Sequence, residues 1–193
     1  MRDWIEQQMA SAAELLEVVR SDPELIGAVE TICRSVVACI EGGGKALTLG
    51  NGGSAAEALH LAEELVGRYR SDRPPLPAIS LAADPTVLTC IANDFGYEEV
   101  FARQVRVLAA KGDVVVAFST SGRSDNVIRA LEAARERGCI TIGLLGGDGG
   151  PAGALCDHAF IVPDRDSARV QEIHTLALHL VCEAIERWVV GRD

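Results

Sequence analysis

A histidine and a glutamate stand four residues apart in a predicted helix, as His60 and Glu64. Residues at that spacing project from the same helix face, so the two side chains can share a metal ion or a substrate. The alternative is a pair of solvent-exposed side chains on a helix surface. The pair follows a glycine-rich turn by about one to two helical turns, and that position favours a functional site.

The glycine-rich turn connects a predicted buried strand, residues 45–49, to this helix. The glycines within residues 50–53 allow positive φ angles and a close approach by the backbone. Ser54 is predicted to cap a helix over residues 55–68, with Glu57 completing a capping box. Exposed backbone N–H groups at such a helix start bind anions, and we expect a phosphate here. An ordinary tight turn between a strand and a helix is the alternative.

A second candidate anion site follows an apolar strand predicted over residues 113–118. Residues 119–124 come directly after it and contain four hydroxyl side chains and a glycine, and a helix is predicted over residues 125–137. Helix capping needs one hydroxyl, so four of them favour a phosphate held by neutral donors over a plain N-terminal cap.

The elements that position these residues alternate between apolar strands and helices, which predicts a parallel sheet covered by helices on both faces. We predict a three-layer α-β-α sandwich with a five-stranded sheet of flavodoxin-like order 2-1-3-4-5. The predicted strands are residues 45–49, 78–81, 113–118, 139–144 and 159–162. In that order the first and third strands are neighbours at the switch point, so both candidate anion turns would flank one crevice.

The remaining segments are predicted as follows. Residues 1–42 form two helices that are suited to packing between subunits, and residues 43–193 form the α/β core of a single domain. A short helix ends at residue 90, residues 91–96 form a polar loop, and a longer helix covers residues 98–110. The final helix, which ends near residue 190, carries Gln171, His174, His179 and Cys182.

Composition limits the classes of function. The chain is 48% hydrophobic, which suffices for a sizeable core, and its net charge of -10 argues against non-specific nucleic-acid binding. No apolar run approaches membrane length, and acidic residues near Met1 argue against a signal peptide. The six cysteines form no CxxC pattern and lie mostly in apolar contexts, which predicts reduced core thiols in a cytoplasmic protein. Cys182 could alternatively be a metal ligand, since it lies three residues after His179.

Five segments in order carry a resemblance that covers nearly the whole chain: residues 50–54, 60–70, 92–96, 119–124 and 171–174. They resemble the phosphoheptose isomerases of the sugar isomerase, or SIS, domain family. The resemblance implies conversion of D-sedoheptulose 7-phosphate to D-glycero-D-manno-heptose 7-phosphate through an enediol. That reaction is the first step of ADP- or GDP-heptose biosynthesis. The resemblance also implies a homotetramer with active sites at subunit contacts.

The resemblance further implies roles for individual residues. Glu64 would be the catalytic base and His179 the acid. Zinc would be bound by His60, Glu64, Gln171 and His179. The implied substrate-contacting residues are Asn51, Gly52, Gly53, Ser54, Glu64, Arg68, Asn93, Asp94, Ser119, Thr120, Ser121, Ser124 and Gln171.

Helical geometry sets two conditions on this assignment. Gln171 and His179 are eight residues apart, roughly 12 Å along a straight helix. Meeting one ion would therefore stretch both side chains, or require an irregular helix start or a second subunit. His174 lies about 140° around the helix from His179, so we expect it to be structural or to contact a neighbouring site. Moreover, a carboxylate bound to zinc is a poorer base, so Glu64 cannot be a tight ligand and an effective base at the same time.

Two other functions remain open from the sequence. One is a non-catalytic SIS protein that binds a replication initiator or senses a sugar phosphate. A relative of that kind resembles the chain around residues 167–174 but lacks counterparts of Glu64 and His179, which favours the enzyme. The other is isomerisation of a hexose phosphate. The donor set does not fix the metal, because His, Glu and Gln ligands do not select zinc uniquely.

Overall fold

The computed structural model describes residues 1–191 and contains a five-stranded parallel sheet of order β2-β1-β3-β4-β5. The strands are β1 (Ala46–Gly50), β2 (Ala78–Ser80), β3 (Val114–Ser119), β4 (Ile140–Gly146) and β5 (His158–Val162). The predicted fold class and strand order are confirmed. Each strand lies within three residues of its predicted bounds at both ends, because apolar runs between helical patterns mark buried parallel strands clearly.

Eight α-helices and one 3-10 turn (Tyr97–Glu99) accompany these strands in the described residues. The helices are α1 (Arg2–Ser21), α2 (Pro23–Glu41), α3 (Gly53–Val66), α4 (Pro85–Phe95), α5 (Ala102–Leu108), α6 (Asp125–Glu136), α7 (Gly150–Gly153) and α8 (Ser167–Val190). Helix α2 begins as its sequence predicts: the Asp22 carboxylate accepts a hydrogen bond from the Glu24 N–H at 2.8 Å, and proline occupies the first turn.

The core has two parts, one on each face of the sheet. Helices α1, α2, α3 and α8 pack on one face, and α4, α5, α6 and α7 pack on the other. Alternate residues of the strands point to opposite parts, as Val116 and Val115 do in β3. Both β1 and β3 are buried along their whole length, so the turns after them are fixed to the centre of the sheet.

Three details of the predicted elements differ from the structure. Helix α3 begins at Gly53, and the capping position is Gly52 with a φ of 57°, so Ser54 and Glu57 do not form a capping box. The N–H groups of Ser54 and Ala55 instead donate to the carbonyl oxygens of Asn51 and Gly52, at 3.0 and 3.1 Å. The glycines therefore close this turn through the backbone, and no side chain among the described residues caps α3.

The predicted polar loop over residues 91–96 is also wrong. Helix α4 continues to Phe95, which places Asn93 and Asp94 in its last turn. Polar residues at the end of an amphipathic helix resemble a loop in sequence, but nothing breaks the helix before Gly96, where φ is 95°. The helix predicted over residues 98–110 is divided into the 3-10 turn and α5.

Among residues 1–191, no helix combines the length and the apolarity that a bilayer span requires. All six cysteines lie within the described residues and are free thiols.

Candidate active site

Helices α3 and α8 bring His60, Glu64 and His179 together. Ligand atoms of the three side chains all lie within 4.8 Å of one another. His60 Nε2 is 3.2 Å from Glu64 Oε1, and the His60 and His179 rings meet edge to face with their centroids 5.0 Å apart. The spacing of His60 and Glu64 indicated a shared face, and the structure adds His179 from the far end of the chain.

The surroundings of His179 favour a neutral imidazole. Burial lowers the pKa of His179, and the neighbouring His60 ring and Arg70 guanidinium lower it further, while the Glu64 carboxylate opposes them. Neutral imidazole nitrogens and a carboxylate oxygen are the donors that a divalent transition metal takes in proteins. Three such donors from two helices fit a metal ion and leave coordination positions for a substrate.

A cavity of about 130 Å³ lies where β1 and β3 end. Gly50 and Phe118 are paired in register, so the turn after each strand opens at the same edge of the sheet. The residues that line the cavity are Asn51, Ser54, Phe118, Ser119, Thr120, Ser121, Ser124, Ser167 and Gln171. The two predicted anion turns therefore do meet in one crevice, at the switch point of the sheet.

The hydroxyl groups of this cavity are arranged to donate. The oxygens of Ser119 and Ser121 accept hydrogen bonds from the N–H groups of Gly122 and Arg123, at 3.1 and 3.2 Å. Because those oxygens act as acceptors within the turn, their O–H hydrogens remain available to an anion. Ser124 precedes α6, and its hydroxyl makes no capping bond within residues 1–191. Gly122 has a φ of 62°, and an added Cβ would collide with the Gly149 carbonyl, so the turn requires glycine there.

Asn51 lines the cavity but its amide is also paired inside the protein. It exchanges two hydrogen bonds with the Asn126 amide, both at 2.8 Å, and its oxygen accepts a third from the Tyr97 hydroxyl at 2.8 Å. Asn126 lies in the first turn of α6 and is only 2% exposed. The sequence analysis missed Asn126 and Tyr97. The available signal was a polar residue on the face of α6 that also carries Val127, Ala130 and Leu131.

Gln171 lies in the first turns of α8 and lines the same cavity. Its side-chain amide packs against Gly53: an added Cβ there would lie 2.8 Å from Gln171 Oε1. Its place as a fourth metal ligand stays a prediction.

Six predicted substrate contacts lie outside the lining of this cavity, as far as the described residues show: Gly52, Gly53, Glu64, Arg68, Asn93 and Asp94. Gly52 and Gly53 belong to the turn that borders the cavity, and Glu64 belongs to the histidine cluster. Arg68 is exposed in the segment that follows α3. Asn93 and Asp94 are exposed at the end of α4, where the Asn93 amide donates to Asp94 Oδ1 at 2.7 Å.

His174 and Cys182 are core residues. His174 is fully buried, and its Nε2 donates to the Leu145 carbonyl at 3.0 Å, because a carbonyl oxygen can only accept. Its Nδ1 lies 3.8 Å from an oxygen of the buried Glu57 carboxyl. This placement supports a structural role for His174 and gives its side chain no access to a neighbouring site. Cys182 is 3% exposed, burial raises the pKa of its thiol to about 12, and the ligand cluster found among the described residues consists of His60, Glu64 and His179 without it.

A flavodoxin-like sheet with a hydroxyl-lined cavity at its switch point defines a doubly wound α/β protein of the class that binds ligands outside the carboxyl ends of its strands. Comparison with known proteins agrees. The family model described as SIS domain matches residues 8–146. The chain is 45% identical over 191 residues to the phosphoheptose isomerase of Trichlorobacter lovleyi, covering 99% of this chain and 96% of that protein.

Two further relatives extend this result. The chain is 48% identical over 188 residues to the phosphoheptose isomerase of Pelobacter propionicus, covering 97% of this chain and 98% of that protein. The solved structure of phosphoheptose isomerase from Neisseria gonorrhoeae superposes with a TM-score of 0.90 at 37% identity, covering 96% of this chain and 98% of that one. The chain therefore belongs to the SIS domain family, and within it to the phosphoheptose isomerases.

Proposed function

We propose that this chain is an aldose–ketose isomerase that converts D-sedoheptulose 7-phosphate to D-glycero-D-manno-heptose 7-phosphate. The observation that carries the proposal is the meeting of Glu64 and His179 on two helices distant in sequence, because the same two helices also line a cavity of hydroxyl donors through Ser54 and Gln171. Its relatives named phosphoheptose isomerase support the substrate.

The layout along α3 suits a long substrate with a phosphate at one end. Ser54 lines the anion cavity, and His60 begins the cluster about 9 Å further along the helix axis. The phosphate would accept hydrogen bonds from the hydroxyls of Ser119, Ser121 and Ser124. Those contacts are remote from the reacting carbons, so their binding energy serves to position the other end of the sugar.

The cluster would carry the proton transfers. Glu64 takes a proton from C1 of the ketose, which gives an enediol, and returns a proton to C2. His179 passes a proton between the oxygens on C1 and C2 through one ring nitrogen, which gives a proton to one oxygen and takes one from the other; its second nitrogen would be the one that holds the metal. We propose zinc as the cofactor, held by His60, Glu64, Gln171 and His179, with Glu64 a ligand only while it is not serving as the base. When bound, it would polarise the substrate carbonyl and stabilise the negative charge that develops on oxygen.

We further propose that residues 1–193 form one SIS domain that assembles as a cytoplasmic homotetramer with active sites at subunit contacts. Exposed apolar residues on α1, such as Trp4 and Met9, support an assembly that covers them. Arg68, Asn93 and Asp94 would then reach substrate where two subunits meet. Light scattering after gel filtration measures the assembly directly.

An assay with purified protein tests the proposed reaction. The protein is incubated with sedoheptulose 7-phosphate, and the aldose product is followed by NMR, with a six-carbon ketose phosphate in parallel. Conversion of the seven-carbon substrate in preference to the six-carbon one supports the proposal. Preference for the six-carbon substrate would identify a hexose phosphate isomerase. Binding without conversion of either sugar would instead favour a non-catalytic SIS protein that senses a sugar phosphate or binds a replication initiator.

A further inference from the structure

The segment between α3 and β2 contacts both helices of the His60–Glu64–His179 cluster. Within it, residues 67–73 (hereafter the 67–73 segment) end at Arg73, whose side chain is 2% exposed. The Arg73 guanidinium donates to the carbonyl of Glu64 at 2.6 Å and to that of Leu65 at 3.0 Å. Carbonyl oxygens in the last turn of a helix lack hydrogen-bond donors within the helix. Arg73 supplies donors to two of them at the end of α3, and one belongs to Glu64, the proposed base.

The same segment is attached to α8 by Glu186. The Glu186 carboxylate accepts hydrogen bonds from the N–H groups of Arg70 and Ser71, at 3.0 and 2.5 Å. Burial raises the pKa of Glu186, but these bonds outweigh it, and the net shift lowers the pKa and keeps the group ionised. Arg73 Nε lies 3.9 Å away, so the two buried charges face each other. Glu186 follows His179 by seven residues, about two turns along one face of α8.

A third contact reaches His179 itself. The Tyr69 ring stacks on the His179 ring, with centroids 5.7 Å apart and planes 28° apart. The Tyr69 hydroxyl accepts an exposed hydrogen bond from the Arg70 guanidinium at 3.2 Å, at the end of the ring away from the stacking contact with His179. His179 thus lies between Tyr69 on one side and the edge-on ring of His60 on another.

We infer that Arg73 and Glu186 are positioning residues that set the distance between Glu64 on α3 and His179 on α8, and that Tyr69 sets the orientation of the His179 ring. The inference rests on the proposed function for its effect on turnover. Lysine keeps the charge of arginine but cannot donate to two carbonyls and face a carboxylate in one plane. A charge at position 73 is therefore insufficient, and the planar guanidinium is the required feature.

The test compares matched variants of the full chain. Arg73→Lys removes the bidentate contact, and Arg187→Lys is the control, because Arg187 forms an exposed ion pair with Glu183 on α8. Tyr69→Leu removes the stacked ring, and Tyr69→Phe restores it. For each variant we would measure kcat and KM with sedoheptulose 7-phosphate, Zn²⁺ affinity of the metal-free protein by calorimetry, and the histidine ring signals by NMR.

We expect Arg73→Lys to lower kcat and Zn²⁺ affinity about tenfold each, as loss of residues that orient metal ligands generally does. KM should change less than about twofold, because the anion cavity lies elsewhere. Tyr69→Leu should lower kcat and shift the His179 signals, whereas Tyr69→Phe and Arg187→Lys should match the wild type.

Wild-type kcat and Zn²⁺ affinity in Arg73→Lys would overturn the role of Arg73 and Glu186, and wild-type kcat and His179 signals in Tyr69→Leu would overturn the role of Tyr69. If Arg73→Lys fails to fold, Glu186→Gln replaces it in the test of the distance between Glu64 and His179, because Glu186 is the partner of Arg73 on α8. The Tyr69 variants still test the orientation of the His179 ring, since Tyr69 is only partly buried. If the wild-type protein converts no sugar phosphate, the proposed function fails, and Zn²⁺ affinity and the histidine signals still test the positioning roles.

Discussion

Replacing Asn126 with alanine should destabilise the protein and weaken substrate binding without touching the catalytic cluster. The change removes two hydrogen bonds at 2.8 Å between Asn126 and Asn51. Each such bond contributes about 1 kcal/mol to stability, so we expect the free energy of unfolding to fall by about 2 kcal/mol. In a domain of this size that corresponds to a fall in Tm of about 4–8 °C. The released Asn51 amide also frees the turn that lines the anion cavity, so KM should rise.

Tyr97→Phe is the matched control. The Tyr97 hydroxyl donates to the same Asn51 oxygen at 2.8 Å, but Tyr97 is 59% exposed. When the exposed Tyr97 hydroxyl is removed, water can donate to the Asn51 oxygen in its place. We therefore expect the free energy of unfolding to change by no more than about 0.5 kcal/mol. Thermal unfolding and steady-state kinetics measure both variants. If the two variants lose equal stability, or if Asn126→Ala leaves Tm unchanged, the buried amide pair does not hold the turn and the reasoning fails.

Three further predictions concern other parts of the fold. Burial raises the pKa of Asp113, but hydrogen bonds from the Lys45 ammonium and from backbone N–H groups lower it more, so the folded pKa lies below the unfolded one. The stability that Asp113 provides is therefore present above about pH 4 and is lost as the pH falls through the folded pKa. In urea unfolding, the difference in free energy of unfolding between the wild type and Asp113→Asn should shrink as the pH is lowered below about 4. Gly53→Ala should displace Gln171 from the anion cavity and raise KM, and a crystal structure with Gln171 unmoved would contradict this. Ser124→Ala should raise KM roughly tenfold or more, because a hydrogen bond to the substrate phosphate is lost. Tm should not change, because the Ser124 hydroxyl caps no helix among the described residues. A KM equal to that of the wild type would show that Ser124 does not donate a hydrogen bond to the phosphate.

Much of the fold could be predicted because its signals are local. Buried strands such as residues 113–118 are continuous apolar runs, and the alternation with helices fixes a parallel sheet. Parallel order then brings the turns after β1 and β3 together, which anticipated the anion cavity. The spacing of His60 and Glu64 likewise follows from helical geometry alone.

The remaining features depend on tertiary contacts. The start of α3 was misplaced because Ser54 resembles a cap, whereas the carbonyls of Asn51 and Gly52 accept the first N–H groups. Asn126 was missed because its partner, Asn51, is remote in sequence. Arg73 was also missed, since its function appears only when the end of α3 and the far part of α8 are seen side by side.

Proton transfer in D₂O by wild-type protein and Glu64→Gln tests the central claim most directly. Glu64 is 14% exposed as a side chain, so its proton can exchange with solvent before return to the sugar. We predict that the wild type places deuterium on C2 of the aldose, and that folded Glu64→Gln loses a factor of about 10²–10⁴ in rate. Glu64→Gln working at the wild-type rate, with the same deuterium at C2, would contradict the account.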